Sequence, residues 1–148
     1  MITILGPTAV GKTRISAMIA ARMDAEIISA DSRQVFRGMD LGTGKDLQDY
    51  FVDGSFIPYH LIDIRQPGEE YSVWDFSCDF KKAYLEIRSR GRQVILCGGT
   101  GLYIEAVIGG YYMPQVPEDK NLRNSLEKES IENLITRLAS LRPLHNTT

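Results

Sequence analysis

The chain has 148 residues, 43% of them hydrophobic and 24% charged, with 17 basic against 19 acidic side chains for a net charge of −2. That length holds one ordinary core, and that balance excludes a polyanion partner recruited by bulk basicity. Cys78 and Cys97 stand in no metal-ligand spacing, and no apolar run reaches membrane length, so the composition predicts a soluble, cytoplasmic protein without disulfides or a membrane partner.

The apolar run Met1 to Leu5 predicts a buried strand, and it ends in Gly6-Pro7-Thr8-Ala9-Val10-Gly11-Lys12-Thr13, which fits G-x-x-x-x-G-K-[ST]. Strand, glycine-bearing loop and a helix opening at Lys12 together turn backbone N–H groups and a positive helix end toward one oxyanion cluster. Lys12 brings a mobile point charge to the terminal phosphate, and the Thr13 hydroxyl can ligate magnesium. The octet therefore predicts a di- or triphosphate site, with ATP as its default guest.

Ile15, Met18 and Ile19 recur at helical spacing through Arg22 and predict the apolar face of that helix. Glu26 to Ala30 then reads as a second strand, ending in Asp31 beside the phosphate loop. Residues 38–58, rich in Gly and Asp, read as loop with a short helix, and Tyr59 to Ile62 as a third short strand. Ser72 with Asp75 spells a capping box, and Val73, Phe76, Phe80, Ala83, Tyr84 and Ile87 mark one face of a helix ending at Gly91. Tyr71, Trp74 and Phe76 share that helical spacing and predict core packing rather than a stacking platform.

The run Val94-Ile95-Leu96-Cys97 is unbroken and apolar, as in a central parallel strand buried on both faces, and leads into Gly98-Gly99-Thr100-Gly101 and a helix from Leu102 to Ile108. Strands alternating with helices around the phosphate loop predict an α/β fold, a P-loop doubly wound parallel sheet over residues 1–114 with its ligand at the carboxyl ends of the strands. Beyond Pro114, Glu118 to Leu141 is charged and reads as two helices, the start of a helical insertion over residues 115–148. The chain ends at Thr148 without a closing strand, which predicts a truncated second region and an incomplete core.

A nucleoside triphosphatase needs an apolar strand ending in Asp to hold magnesium opposite the loop, yet Val94 to Cys97 ends in Gly-Gly-Thr. The carboxylate stands instead in Ser29-Ala30-Asp31-Ser32-Arg33-Gln34. Asp31 there can take a proton from an acceptor, help to hold magnesium, or cap the turn that follows.

These residues carry a resemblance. Gly6 to Thr13, Ser29 to Gln34, Arg37-Gly38-Met39-Asp40 with Gly42-Thr43, Tyr59-His60-Leu61-Ile62-Asp63 and Gly98-Gly99-Thr100-Gly101-Leu102-Tyr103 together resemble the tRNA dimethylallyltransferase family, in order and spacing over residues 2–125. The resemblance implies that the loop, Gly6 through Thr13, holds the diphosphate of dimethylallyl diphosphate, with Mg2+ at Thr13. It also implies that the prenyl group goes to N6 of an adenine beside the anticodon in tRNA. Lys12, Asp31 and Thr100 become the catalytic set, with Asp31 as base and Thr100 on the diphosphate. Asp31, Ser32, Arg33, Gln34, Thr100 and Arg123 become the tRNA contacts.

His60 reads as a structural histidine and Lys45 as a solvated loop lysine within reach of phosphate. Where the family commonly has Gly-Thr-Ala-Lys-Pro this chain has Gly42-Thr43-Gly44-Lys45-Asp46, a departure that re-aims the loop, and family members are longer, with a further strand and a later arginine. Three other readings share the motifs: an adenylate isopentenyltransferase, a P-loop small-molecule kinase and an inactive diphosphate-binding fragment.

Overall fold

A computed structural model describes residues 1–114 and 116–141; Gln115 and residues 142–148, on which the reading of the chain end falls, lie outside the described residues. The described chain forms two compact units, Met1–Met113 and the residues from Pro114 onward.

The first unit is built on one parallel sheet. Strand β1 (Ile2–Leu5) leads through the phosphate loop into helix α1 (Lys12–Met23) and then β2 (Ala25–Ala30). A 3-10 turn at Leu47–Tyr50 precedes a small antiparallel hairpin, β3 (Phe51–Val52) with β4 (Ser55–Phe56), and β5 (Tyr59–His60) follows. Helix α2 (Val73–Ser89), strand β6 (Gln93–Gly98) and helix α3 (Gly101–Ile108) complete the unit. Capping starts and stops α2 where the sequence says: Asp75 N–H donates to Ser72 Oγ at 3.2 Å, Ser72 N–H returns to Asp75 Oδ2 at 2.9 Å, and Gly91 turns out with φ +77°.

Strand order is β1-β6-β2-β5, all parallel. The strand beside the phosphate-loop strand is thus β6, not β2, and Asp31 faces the loop across the end of β6. Residues in β2 and β6 alternate between two apolar clusters, as the strand period of two requires. Ile28, Ala30, Val94 and Leu96 pack toward Phe76, Ala83, Ile87 and Tyr103 of α2 and α3, where the Phe76 ring stacks on Tyr103 with centroids 4.3 Å apart. Ala25, Ile27, Ile95 and Cys97 face Ala17 and Ala20 of α1 together with Tyr50, Ile57 and Ile62.

Two expectations change here. Ile15 and Met18 are 51% and 44% exposed, and α1 presents Ser16, Ala17 and Ala20 to the sheet instead. Small residues let its axis approach the strands closely, and of the expected stripe only Ile19 packs against the core. Residues 38–58 hold the β3–β4 hairpin rather than loop and short helix alone. Of the three aromatics assigned to the core, Phe76 is fully buried, Tyr71 packs at its edge, and Trp74 is half-buried.

The second unit contains α4 (Lys120–Leu126), capped by Asp119, whose Oδ1 accepts from Leu122 N–H at 2.9 Å, and α5 (Ile131–Leu141). Neither helix buries a residue. Among the described residues no helix is long and apolar enough to cross a membrane.

Candidate phosphate-loop site

β1 and β6 end side by side, Leu5 opposite Gly98, and the phosphate loop leaves from that edge. Ala9 and Gly11 both take left-handed backbone, φ +63° and +80°, on either side of Val10. Such a curl turns successive N–H groups into one concavity, the geometry of an anion nest, and a non-glycine residue held there is strain of the kind found at ligand sites. Helix α1 opens on Gly11 with no side-chain cap, so its first-turn N–H groups and positive end are left for a ligand. The Lys12 ammonium folds back onto the Pro7 carbonyl of the same loop.

The two neighbouring strand ends are fastened to each other. Thr100 N–H donates to the Ala30 carbonyl at 3.1 Å, and Ser32 N–H donates to Thr100 Oγ1 at 3.0 Å. The turn after β2 is closed by Asp31 itself, whose Oδ1 accepts from Arg33 N–H at 2.9 Å, and Arg33 Nε lies 3.7 Å from the same oxygen. Asp31 therefore caps its own turn while its side chain stays 17% exposed. Among the described residues, Oδ2 accepts no hydrogen bond.

These ends enclose a cavity of about 330 Å³. Thr8, Ala9, Gly11, Lys12 and Thr13 form one wall, Ser29, Asp31 and Cys97 to Gly99 the floor, and Gln34, Thr43, Gly44, Asp46, Asp49 and Tyr50 the other wall. Burial pushes the Cys97 thiol up, against a smaller opposing pull from the Ser16 hydroxyl and the Lys12 charge. Burial also pushes the Asp49 carboxyl up, helped by the Asp46 charge and opposed by Arg14. The donors facing the cavity are hard oxygens: the Thr13 hydroxyl and the carboxylates of Asp31, Asp46 and Asp49. They suit Mg2+, and since no three titratable ligands converge among the described residues, a diphosphate would have to bring part of the ion's shell.

The sequence candidates are distributed unevenly around this cavity. Gly6, Pro7 and Val10 shape the loop without lining the cavity, and Thr100, Ser32 and Arg33 are likewise not among its lining residues. Gln34 reaches it, but its amide is committed: Oε1 accepts from Ser29 Oγ at 2.8 Å and Nε2 donates to the Gly44 carbonyl at 3.0 Å. Arg123 belongs to the second unit, where its Nε pairs with Glu118 Oε1 at 3.2 Å. Lys45 is no solvated loop lysine; its side chain is fully buried among acceptors.

His60 lies far from the chemistry, donating or accepting at 2.6 Å with Glu26 Oε2 near the opposite end of the sheet. Of the wall from Thr43 to Tyr50 the sequence reading named Gly42 to Asp46, as a matched and then divergent segment, but not Asp49 and Tyr50. Gly42 and Gly44 are both left-handed, at φ +75° and +67°.

A parallel sheet, an uncapped phosphate-loop helix and a strand-end aspartate on one cavity define a kinase-like P-loop fold. Residues 34–148 match the family model for IPP transferase and residues 1–55 that for isopentenyl transferase. The chain belongs to the IPP transferase family.

It is 57% identical over 148 residues to tRNA dimethylallyltransferase 2 of Porphyromonas gingivalis, covering 100% of this chain and 49% of the relative. It is also 57% identical to tRNA dimethylallyltransferase 1 of Parabacteroides distasonis, covering 100% and 48%. Among solved structures it resembles the tRNA isopentenylpyrophosphate transferase of Bacillus halodurans, with TM-score 0.71, 41% identity and coverage of 96% and 47%. A eukaryotic dimethylallyltransferase acting on tRNA aligns with TM-score 0.82 at 26% identity over 97% of this chain and 36% of that one. The chain spans about half the length of the curated relatives it matches.

Proposed function

We propose that this chain is the donor-binding, base-bearing half of a cytoplasmic tRNA dimethylallyltransferase, moving the dimethylallyl group of dimethylallyl diphosphate to N6 of an adenine beside the anticodon. One observation carries the reading: the phosphate loop and Asp31 open onto a single cavity, while β6, the strand next to the loop, ends in Gly98-Gly99-Thr100 with no acid. That arrangement lacks the carboxylate of phosphoryl transfer and supplies a base for an incoming acceptor.

In the reaction, the adenine N6 forms a bond to the allylic carbon as the bond from that carbon to the diphosphate oxygen breaks. Lys12, Thr13 and the loop N–H groups take the charge that gathers on the departing oxygens. Bound at Thr13 and the diphosphate, Mg2+ would add further charge neutralisation. Asp31, with Oδ1 held by the turn and Oδ2 accepting no hydrogen bond among the described residues, accepts the N6 proton. Thr100 acts by holding Ser32 and so the Asp31 turn. An adenine in an anticodon loop must unstack to reach this cavity, and the Ser32 to Gln34 turn, with Arg123 elsewhere, contacts the RNA around it.

Prenyl transfer from dimethylallyl diphosphate, assayed on the intact protein with an anticodon stem-loop, with AMP, and with ATP plus a small alcohol, tests this. Transfer to the stem-loop alone is expected. ADP formation without prenyl transfer would sink the proposal in favour of a kinase. Preferential transfer to AMP would instead establish free adenylate as the acceptor.

A further inference from the structure

The group that neither the sequence reading nor the reaction uses is the Lys45 ammonium. Its side chain is fully buried, and it spends all three N–H donors: Asp63 Oδ1 at 2.6 Å, the Phe36 carbonyl at 2.7 Å and Asp40 Oδ1 at 3.1 Å. A buried ammonium is retained only where it is fully paired, because desolvation disfavours it, and here the two carboxylates outweigh that cost and hold it charged.

The acceptors belong to separate stretches of chain. Phe36 and Asp63 lie just beyond β2 and β5, where Asp63 N–H donates to the Gln34 carbonyl at 3.0 Å and Arg37 Nε donates to the Asp63 carbonyl at 2.7 Å. Lys45 itself sits between Gly44 and Asp46, which line the cavity wall opposite the phosphate loop. Asp63 is held in left-handed backbone, φ +57°, a conformation that costs energy unless its surroundings fix it.

We infer that Lys45 and Asp63 form a positioning brace that sets the acceptor-side wall of the cavity and the Asp31 to Gln34 turn, without touching either substrate. The brace reaches that turn by two routes, through the Asp63 N–H on the Gln34 carbonyl and through Gly44, whose carbonyl holds the Gln34 amide. It makes no hydrogen bond to the phosphate loop. The assignment of the braced wall to the acceptor rests on the function proposed above; the brace itself rests on the ion pair.

The test is Lys45→Met in the intact protein, with Asp63→Asn as the milder variant should the first fail to fold. Amide hydrogen exchange without substrates, the Kd for inorganic diphosphate and the KM for an anticodon stem-loop are measured together. Expected are faster exchange confined to residues 31–46 and Asp63, a KM for RNA raised roughly tenfold to a hundredfold, and a diphosphate Kd within about twofold of the parent. Unchanged exchange would overturn the brace. So would exchange rising throughout β1 and β6 with diphosphate affinity falling in step, since Lys45 would then merely hold the fold. If the parent protein transfers no prenyl group to RNA, the functional reading fails, and local exchange still decides the brace.

Discussion

Gly98 and Ala30 lie in register at the ends of β6 and β2, so close that a methyl group on Gly98 would stand 2.2 Å from the Ala30 carbonyl oxygen. The three nearest atoms are all Ala30 backbone, and no rotamer change can relieve the clash. Gly98→Ala is expected to destabilise the protein by about 3 kcal/mol or more, read from the urea midpoint. Gly99→Ala is the control: its methyl group would meet the Gly6 carbonyl at 3.5 Å, an ordinary contact, and the fold should hold.

In the proposed reaction Lys12 serves donor binding and Asp31 proton removal. Lys12→Ala should weaken inorganic diphosphate binding as well as turnover, because the charge serves the bound and the departing diphosphate alike. Asp31→Asn should leave diphosphate affinity nearly intact and cut turnover by roughly 10²- to 10⁴-fold, the scale of a lost general base. Calorimetry with diphosphate beside single-turnover assays separates the two, and equal loss of affinity in both variants would contradict the division.

Thr100→Val removes the acceptor of the Ser32 N–H while keeping the shape of the side chain. If Thr100 serves by holding the Asp31 turn, turnover should fall with diphosphate affinity unchanged. A matching loss of diphosphate affinity would return Thr100 to the ligand shell that the sequence resemblance implied.

Glu26 is 2% exposed, yet it accepts from Arg90 Nη2 at 2.8 Å, Arg90 Nε at 3.0 Å and Arg92 Nη1 at 3.3 Å, besides pairing with His60. Burial pushes its carboxyl up, but the hydrogen bonds from Arg90 and His60 win and hold it below its ordinary value near 4.5. A depressed folded value means stability that is fully present above about pH 4.5 and lost as pH falls through the lowered one. Urea midpoints measured down to about pH 3 should therefore show an acid limb that Glu26→Gln flattens. Glu26→Ala should cost about 3 kcal/mol near neutral pH, since it strips a buried carboxylate from its partners.

Cys97 is buried at the cavity floor with its thiol pushed up, whereas Cys78 is exposed on α2. A thiol reagent such as dithionitrobenzoate should label Cys78 first and Cys97 much more slowly, and saturating diphosphate should slow Cys97 alone. Protection of Cys78 by diphosphate would place the ligand elsewhere.

The parts of the fold legible in the sequence are those written locally. The phosphate loop, the Ser72 capping box and the Val94 to Cys97 run each declare themselves within a few residues, because cap chemistry and burial on both faces act at short range. Strand order is not local: nothing near Ile4 says that its neighbour is Cys97 rather than Ile28. The same limit hid Asp49 and Tyr50 in the cavity wall. Lys45 looked solvated because its partner Asp63 lies eighteen positions away, and in α1 the large Ile15 and Met18 drew the reading away from the small Ser16, Ala17 and Ala20 that pack on the sheet.

Placing β6 between β1 and β2 also dictates an order of assembly. The strand bearing the phosphate loop has one sheet neighbour among the described residues, and that neighbour begins at Gln93. Until the ribosome has released that segment, the nucleotide-type loop has no strand to stand on, and closing this long circuit is an entropic step that local helices cannot replace. The phosphate loop, translated before β6, thus gains its sheet neighbour only once β6 has followed, so anion binding during synthesis would report completion of the sheet rather than emergence of the motif.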